Sequence, residues 1–256
     1  MLFLLLLACE RAPLVSDSPQ DSIVDSAVDT GDSDPEMIQV SGVVFRFVDR
    51  ALLEGMTVRL DGLDIEVTSG ADGAWSAQVP AGSSFTPVIE GEGYLTARHA
   101  LFTPQDDLDR LYLQAVPTEV FLLMAQTLGE AGVGIDTSAC IVVNTVTVPA
   151  VYEMSTWEEF ETLRPHGEPG VVMELAPTLD TVQPIYFNEF IQPDPSLDAS
   201  SVDGGVVWLN VPPGTYTVQG VHPDPNYEVI PKTVTCDAGW FVNLNPPLGA
   251  GVREKL

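Results

Sequence analysis

The stretch Met56-Thr57-Val58-Arg59-Leu60-Asp61-Gly62-Leu63-Asp64-Ile65-Glu66-Val67-Thr68 decides the fold class. Met56, Val58 and Leu60 fall on one side of an extended chain, Thr57, Arg59 and Asp61 on the other. After Asp61-Gly62 the alternation resumes, with Leu63, Ile65 and Val67 opposed to Asp64, Glu66 and Thr68. Period 2 over runs this short, broken by an Asp-Gly pair, is the pattern of antiparallel strands with tight turns. Trp75, Ala77 and Val79 repeat it beyond Asp72-Gly73, and Leu111 and Leu113 repeat it later. Short strands at regular spacing predict a mainly β chain built as sandwiches. Composition agrees, since 21 glycines, 21 prolines and only 18% charged residues suit a turn-rich chain better than a helical one.

The 256 residues include 37 acidic and 10 basic side chains, a formal charge of −27. A balance that negative repels phosphate backbones and excludes nucleic acid as a partner. It equally excludes docking on anionic lipid through a basic patch. The length allows one or two domains.

Five spaced elements follow one another in the first half. They are Val40-x-Gly42-x-Val44, Gly55-x-x-Val58-x-Leu60, Asp72-Gly73-x-Trp75, Val79-Pro80-Ala81-Gly82 and Gly93-Tyr94. This series resembles the carboxypeptidase regulatory-like domain. The resemblance implies a transthyretin-like Greek-key sandwich over residues 38–116, a module without peptidase chemistry. Gly73 and Gly82 sit where its turns call for φ > 0.

The pattern returns in a stretched form over residues 117–250. Thr118 to Leu128 is helical in spacing, with Thr118 as expected cap. Strands resume at Cys140–Val148, and Val211-Pro212-Pro213-Gly214 mirrors Val79-Pro80-Ala81-Gly82. A second sandwich is therefore expected, interrupted by an insertion at about 149–203. That insertion holds a short helix for which Ser155 and Glu158 are spaced as a capping box.

The chain opens with an apolar run too short to span a bilayer. Its end, Leu6-Leu7-Ala8-Cys9, resembles the lipobox of bacterial lipoproteins. Two departures are the missing Lys or Arg before the run and the bulk of Leu7. The resemblance implies a diacylglyceryl group on Cys9 and a lipid-anchored place in the bacterial cell envelope, on the periplasmic or cell-surface side. Residues 10–37 follow as an acidic segment with Asp21, Asp25 and Asp29 at spacing four. Like charges at i,i+4 disfavour a helix, and few apolar groups disfavour a core, so a disordered tether is expected. With Cys9 lipidated, Cys140 and Cys236 remain as an even pair. Both are expected to face the second core, and a disulfide between them suits an oxidising compartment.

Chemistry is sparse. No Gly-x-Ser-x-Gly elbow, phosphate loop, His-Glu-x-x-His or dinucleotide fingerprint occurs. The histidines are His99, His166 and His222. His166-Gly-Glu168 and His222-Pro-Asp224 could each offer two metal ligands, but both lie in Pro/Gly-rich loops. No catalytic residue, metal or cofactor is assigned. Trp75, Trp208 and Trp240 fall in strand patterns and are expected to pack. Trp157, Tyr186 and Phe187 fall in the insertion and are the candidates for ligand contact. The expected role is a non-catalytic adhesion, scaffold or surface-interaction module, with a neutral glycan or an envelope protein as partner. The alternatives are a carbohydrate-binding module of starch-binding-like type and a hydrolase housed in the insertion.

Overall fold

The computed structural model describes residues 35–255, so the lipobox at Cys9 and nearly all of the acidic segment lie outside the described residues. The first half supplies β1 (Met37–Arg46), β2 (Thr57–Asp61), β3 (Glu66–Thr68), β4 (Ala74–Pro80), β5 (Thr86–Glu90), β6 (Ala97–Arg98) and β7 (Leu113–Ala115). Then come α1 (Thr118–Glu130), β8 (Cys140–Thr145), α2 (Ala150–Glu153) and α3 (Trp157–Thr162). The second half continues with β9 (Val172–Ala176), β10 (Pro184–Phe187), β11 (Pro193–Asp194), β12 (Gly205–Val211) and β13 (Gly214–Val221). It closes with β14 (Tyr227–Val229), β15 (Lys232–Cys236), β16 (Phe241–Leu244) and β17 (Val252–Glu254). The chain is mainly β, with several sheets and three short helices among the described residues.

The alternation read from the sequence sets the first core. Val58 and Leu60 of β2 are fully buried, as are Val40 of β1 and Val79 of β4. β1 pairs antiparallel with β4, Ile38 opposite Val79 and Gly42 opposite Trp75, and parallel with β7. Gly42 has a steric reason, because a Cβ there would lie 2.0 Å from the Leu111 carbonyl oxygen. Gly73 and Gly82 adopt φ of 68° and 74°, as the turns require. The sheet β4-β1-β7 shares one apolar cluster with β2 and β5, including Trp75, Phe85, Ile89 and Leu111.

The second core lies between β8, β12 and β16 on one side and β15-β13-β9 on the other. Cys140, Val142, Trp208, Tyr216, Val218 and Val234 meet there. Cys140 and Cys236 are disulfide-bonded across it, with Cα atoms 5.6 Å apart. Both cysteines therefore face one core, as their strand positions imply.

Three features depart from the sequence reading. The halves share one sheet of nine strands, ordered β11-β10-β12-β8-β16-β6-β5-β2-β3, joined by a parallel β16–β6 pair with Phe241 opposite Ala97. Pro35–Leu256 is one compact unit, rather than tandem bodies divided at 116/117. The physical reason is that β8, β12 and β16 are buried on both faces, so Ile141, Val207, Leu209 and Phe241 join the first cluster while their neighbours join the second. The stretch 149–203 is no appendage either. Its β9 pairs with β13, Leu175 opposite Val218, and its β10 pairs with β12, Ile185 opposite Val207. Finally, both helix starts differ in detail. The capping box of α3 is Thr156 with Glu159, one residue beyond Ser155 and Glu158. α1 begins after Pro117 without a side-chain cap.

Candidate functional site

A cavity of about 140 Å³ lies on the face of β8, β12 and β16 that looks away from the disulfide. Strand alternation builds its floor. Cys140 and Val142 point into the second core, so Ile141, Val143 and Thr145 point into the cavity. On β12 the same alternation presents Leu209, Val207 and Gly205, with Val207 opposite Val143 and Gly205 opposite Thr145. Phe121, Met124 and Leu128 of α1 line it, as do Phe45, Phe47 and Val48 from the end of β1 and the loop after it. Ile191 and Pro193 complete the wall.

The register grades this floor from apolar to polar. Ile141, Leu209 and Phe241 mark one end, and Thr145, Gly205 and Asp203 the other, about 13 Å away along β8. Arg50, Arg164 and His166 also line the cavity. Arg50 is only 7% exposed. Its Nη1 donates to the carbonyls of Phe160 (2.7 Å) and Glu161 (2.9 Å), and its guanidinium carbon sits 4.9 Å from the centre of the Phe160 ring. Its Nη2 lies 3.2 Å from Nδ1 of His166. A guanidinium can only donate, so Nδ1 accepts and His166 is the neutral, Nε2-protonated tautomer. Burial, reinforced by the Arg50 and Arg164 cations, lowers His166 to about 4, in agreement with that assignment. Burial and the nearby Arg164 likewise lower Arg50 to about 10, against a smaller opposing effect of Glu161.

Asp203 sits at the polar end, where burial pushes its carboxyl up to about 6. Its Oδ2 accepts from the Gly205 N–H at 3.1 Å. Gly205 must be glycine for this approach, because a Cβ would meet that oxygen at 2.6 Å and the Phe187 ring at 2.9 Å. Two residues of the cavity wall hold left-handed backbone conformations, Arg50 at φ 60° and Ile191 at φ 61°. For a β-branched residue such as Ile191 this is a strained conformation.

The sequence candidates fall in different places. Phe187 is buried and lines the cavity. Tyr186, its neighbour on β10, points the other way into the second core, 1% exposed, with its hydroxyl accepting from the Met173 N–H. Trp157 packs in an aromatic cluster, its ring centre 5.1 Å from Phe45, 5.4 Å from Tyr112 and 5.5 Å from Phe160. These three do not form one exposed platform. His166 and Glu168 also diverge, because Glu168 Oε1 lies 3.3 Å from Nε2 of His222 while His166 serves Arg50. Among the described residues, no group of three His, Cys, Asp or Glu side chains is placed to hold a metal ion. Sequence reasoning missed Arg50, Arg164 and Asp203. The available signal was the rarity of cations in so acidic a chain.

No protein-family model matches the chain, and no curated protein matches it. Among solved structures, similarity extends to a chain of a type II cohesin–X-dockerin complex from Acetivibrio cellulolyticus, at 19% identity and TM-score 0.27. That match covers 31% of this chain and 58% of the other, so the chain spans a little over half of it. The shaft pilin SpaA of Lactobacillus rhamnosus GG is similar over 86% of this chain and all of its own, at 10% identity and TM-score 0.26. A minor pilin of Streptococcus agalactiae is similar over 86% and 97% respectively, at 12% identity and TM-score 0.26.

Proposed function

We propose that this protein is a non-catalytic binding module of the bacterial cell envelope, held by a lipid on Cys9 and engaging its ligand through the cavity beneath α1. The observation that carries the reading is the cavity itself, an apolar floor graded to a polar end at Thr145, Gly205 and Asp203, with the hydrogen-bonded pair Arg50 and His166 also in its lining. Such a site holds a molecule without the paired nucleophile and base that turnover needs. His166 is engaged through Nδ1 by a guanidinium that cannot take up a proton, which suits a positioning role better than general-base work. The carbohydrate alternative calls for exposed coplanar rings, whereas Tyr186 and Phe187 are buried and the half-buried Trp157 stands edge-on to Tyr112.

The test uses the whole chain, expressed in a bacterial host and extracted in detergent. Wild type should carry a diacylglyceryl mass on Cys9, and Cys9→Ser should lose both that mass and membrane partition. Organic extraction of the purified protein followed by mass spectrometry should release a small molecule. Panels of ester, peptide and glycoside substrates should show no turnover. Hydrolysis that disappears in His166→Ala would overturn the non-catalytic reading, and an unmodified Cys9 in membrane fractions would overturn the anchor.

A further inference from the structure

We propose that the cavity beneath α1 binds a small apolar monocarboxylate, its hydrocarbon on Ile141, Val143, Val207 and Leu209 and its carboxylate on Arg50 and Arg164. The inference names the ligand class of the module proposed above and rests on that reading.

Charge is the first argument. Among the described residues the ion pairs engage Arg46, Arg59, Arg98, Arg110, Arg253 and His222, while Arg50 and Arg164 have no carboxylate within 4.0 Å. Lys232 and Lys255 also have none among the described residues, so what sets Arg50 apart is its burial, at 7% exposure. A buried cation without a counter-ion is costly, and an anion arriving beside it removes the cost. Donor arithmetic points the same way. A guanidinium has five N–H donors. Two carbonyls occupy Nη1 of Arg50 and His166 takes one proton of Nη2. Among the described residues the Nε–H and one Nη2–H have no acceptor, and a carboxylate can accept a pair of that kind. Arg164 is exposed and, among the described residues, donates to the carbonyls of Glu161 and Leu163 alone. Its charge stands close enough to Arg50 to lower that group.

Shape and polarity supply the second argument. The graded floor asks for a ligand that is apolar along most of its length and polar at one end. The volume of about 140 Å³ limits the apolar body. An engineered cavity of about 150 Å³ accepts benzene, so one aromatic ring or an alkyl group of similar bulk is the expected size. Asp203 at the polar end, with Glu161 near the guanidinium groups, argues for a single negative charge rather than a phosphate. Of the non-glycine residues at positive φ among those described, Arg110 and Asn210 lie elsewhere while Arg50 and Ile191 stand in this wall, and a strained wall held in place is the third argument.

Phenylpropanoate, phenylpropanol and phenylpropylamine share one skeleton and differ in charge. Titrated into full-length protein in detergent and followed by calorimetry and thermal shift, the acid should bind about tenfold or more tightly than the alcohol. The amine should bind more weakly still. Arg164→Gln, at an exposed position, and Arg50→Lys should each cut acid affinity severalfold and leave alcohol affinity unchanged. Val207→Trp, which fills the floor, should abolish binding of all three. Equal binding of acid and alcohol, or preference for the amine, would overturn the inference and leave the binding module standing. Binding of the acid only after residues 12–34 are deleted would assign the site to the chain's own aspartates, and would also overturn it. Turnover of a substrate would instead strike the reading beneath it.

Discussion

At the residue scale, burial sets the charges. His99 follows β6 and is 1% exposed, with neither ring nitrogen in a hydrogen bond among the described residues. Desolvation lowers its pKa to about 4 and outweighs the opposing effect of the nearby Asn243 backbone, which forms no bond of good geometry with the ring. The unfolded chain would hold this proton near 6.5. Stability from neutral His99 is therefore complete above pH 6.5 and is lost as pH falls from 6.5 through about 4. His99→Leu removes that dependence and an unpaired polar ring together. The variant should unfold at higher urea than wild type at pH 4.5, by about 2 kcal/mol, with a smaller difference at pH 7. A steeper acid loss in the variant would contradict this. No sequence signal marked His99, because solitary histidines occur on surfaces and in cores alike.

At the element scale, α3 shows how a short helix serves the cavity. Thr156 Oγ1 accepts from the Glu159 N–H, and the Glu159 carboxylate accepts from the backbones of Ser155 and Thr156. These bonds hold that carboxyl below its ordinary range. The helix so fixed brings the Phe160 ring and the Phe160 and Glu161 carbonyls to Arg50. Thr156→Ala should lower stability by about 1 kcal/mol, read from urea midpoints, and Thr156→Ser should restore most of it. The motif was legible in the sequence to within one residue. Its register was not, because Ser155-Thr156 offers two adjacent caps and Glu158-Glu159 two adjacent partners. Packing of Trp157 and Phe160 against Phe45 and Tyr112 selects between them.

At the scale of the molecule, the shared sheet couples the two cores. β16 lies between β8 of the second half and β6 of the first, so neither half can lose its sheet without exposing the other's edge. Calorimetry of the oxidised protein should show one transition for residues 35–256. The Cys140–Cys236 bond closes a separation of 96 residues. Its removal should cost on the order of 4–5 kcal/mol in the chain-entropy model. Reduction should lower that one transition as a whole. Two separated transitions, only one of them sensitive to reductant, would show that the halves melt independently.

The sequence by itself determined the strand periodicity of Met56–Thr68, the turns at Gly73 and Gly82, the packing of Trp75 and Trp208, and the inward facing of Cys140 and Cys236. Each follows from alternation, from a left-handed turn that only glycine fills readily, or from the burial of apolar area. Only the tertiary structure decided that β8, β12 and β16 bury both faces, that 149–203 supplies strands to the sheets, and that Arg50, Arg164, His166 and Asp203 line one cavity. Local patterning states which side of a strand is apolar. It does not state what covers the other side, since that depends on partners more than a hundred residues away, as Arg50 is from Phe160.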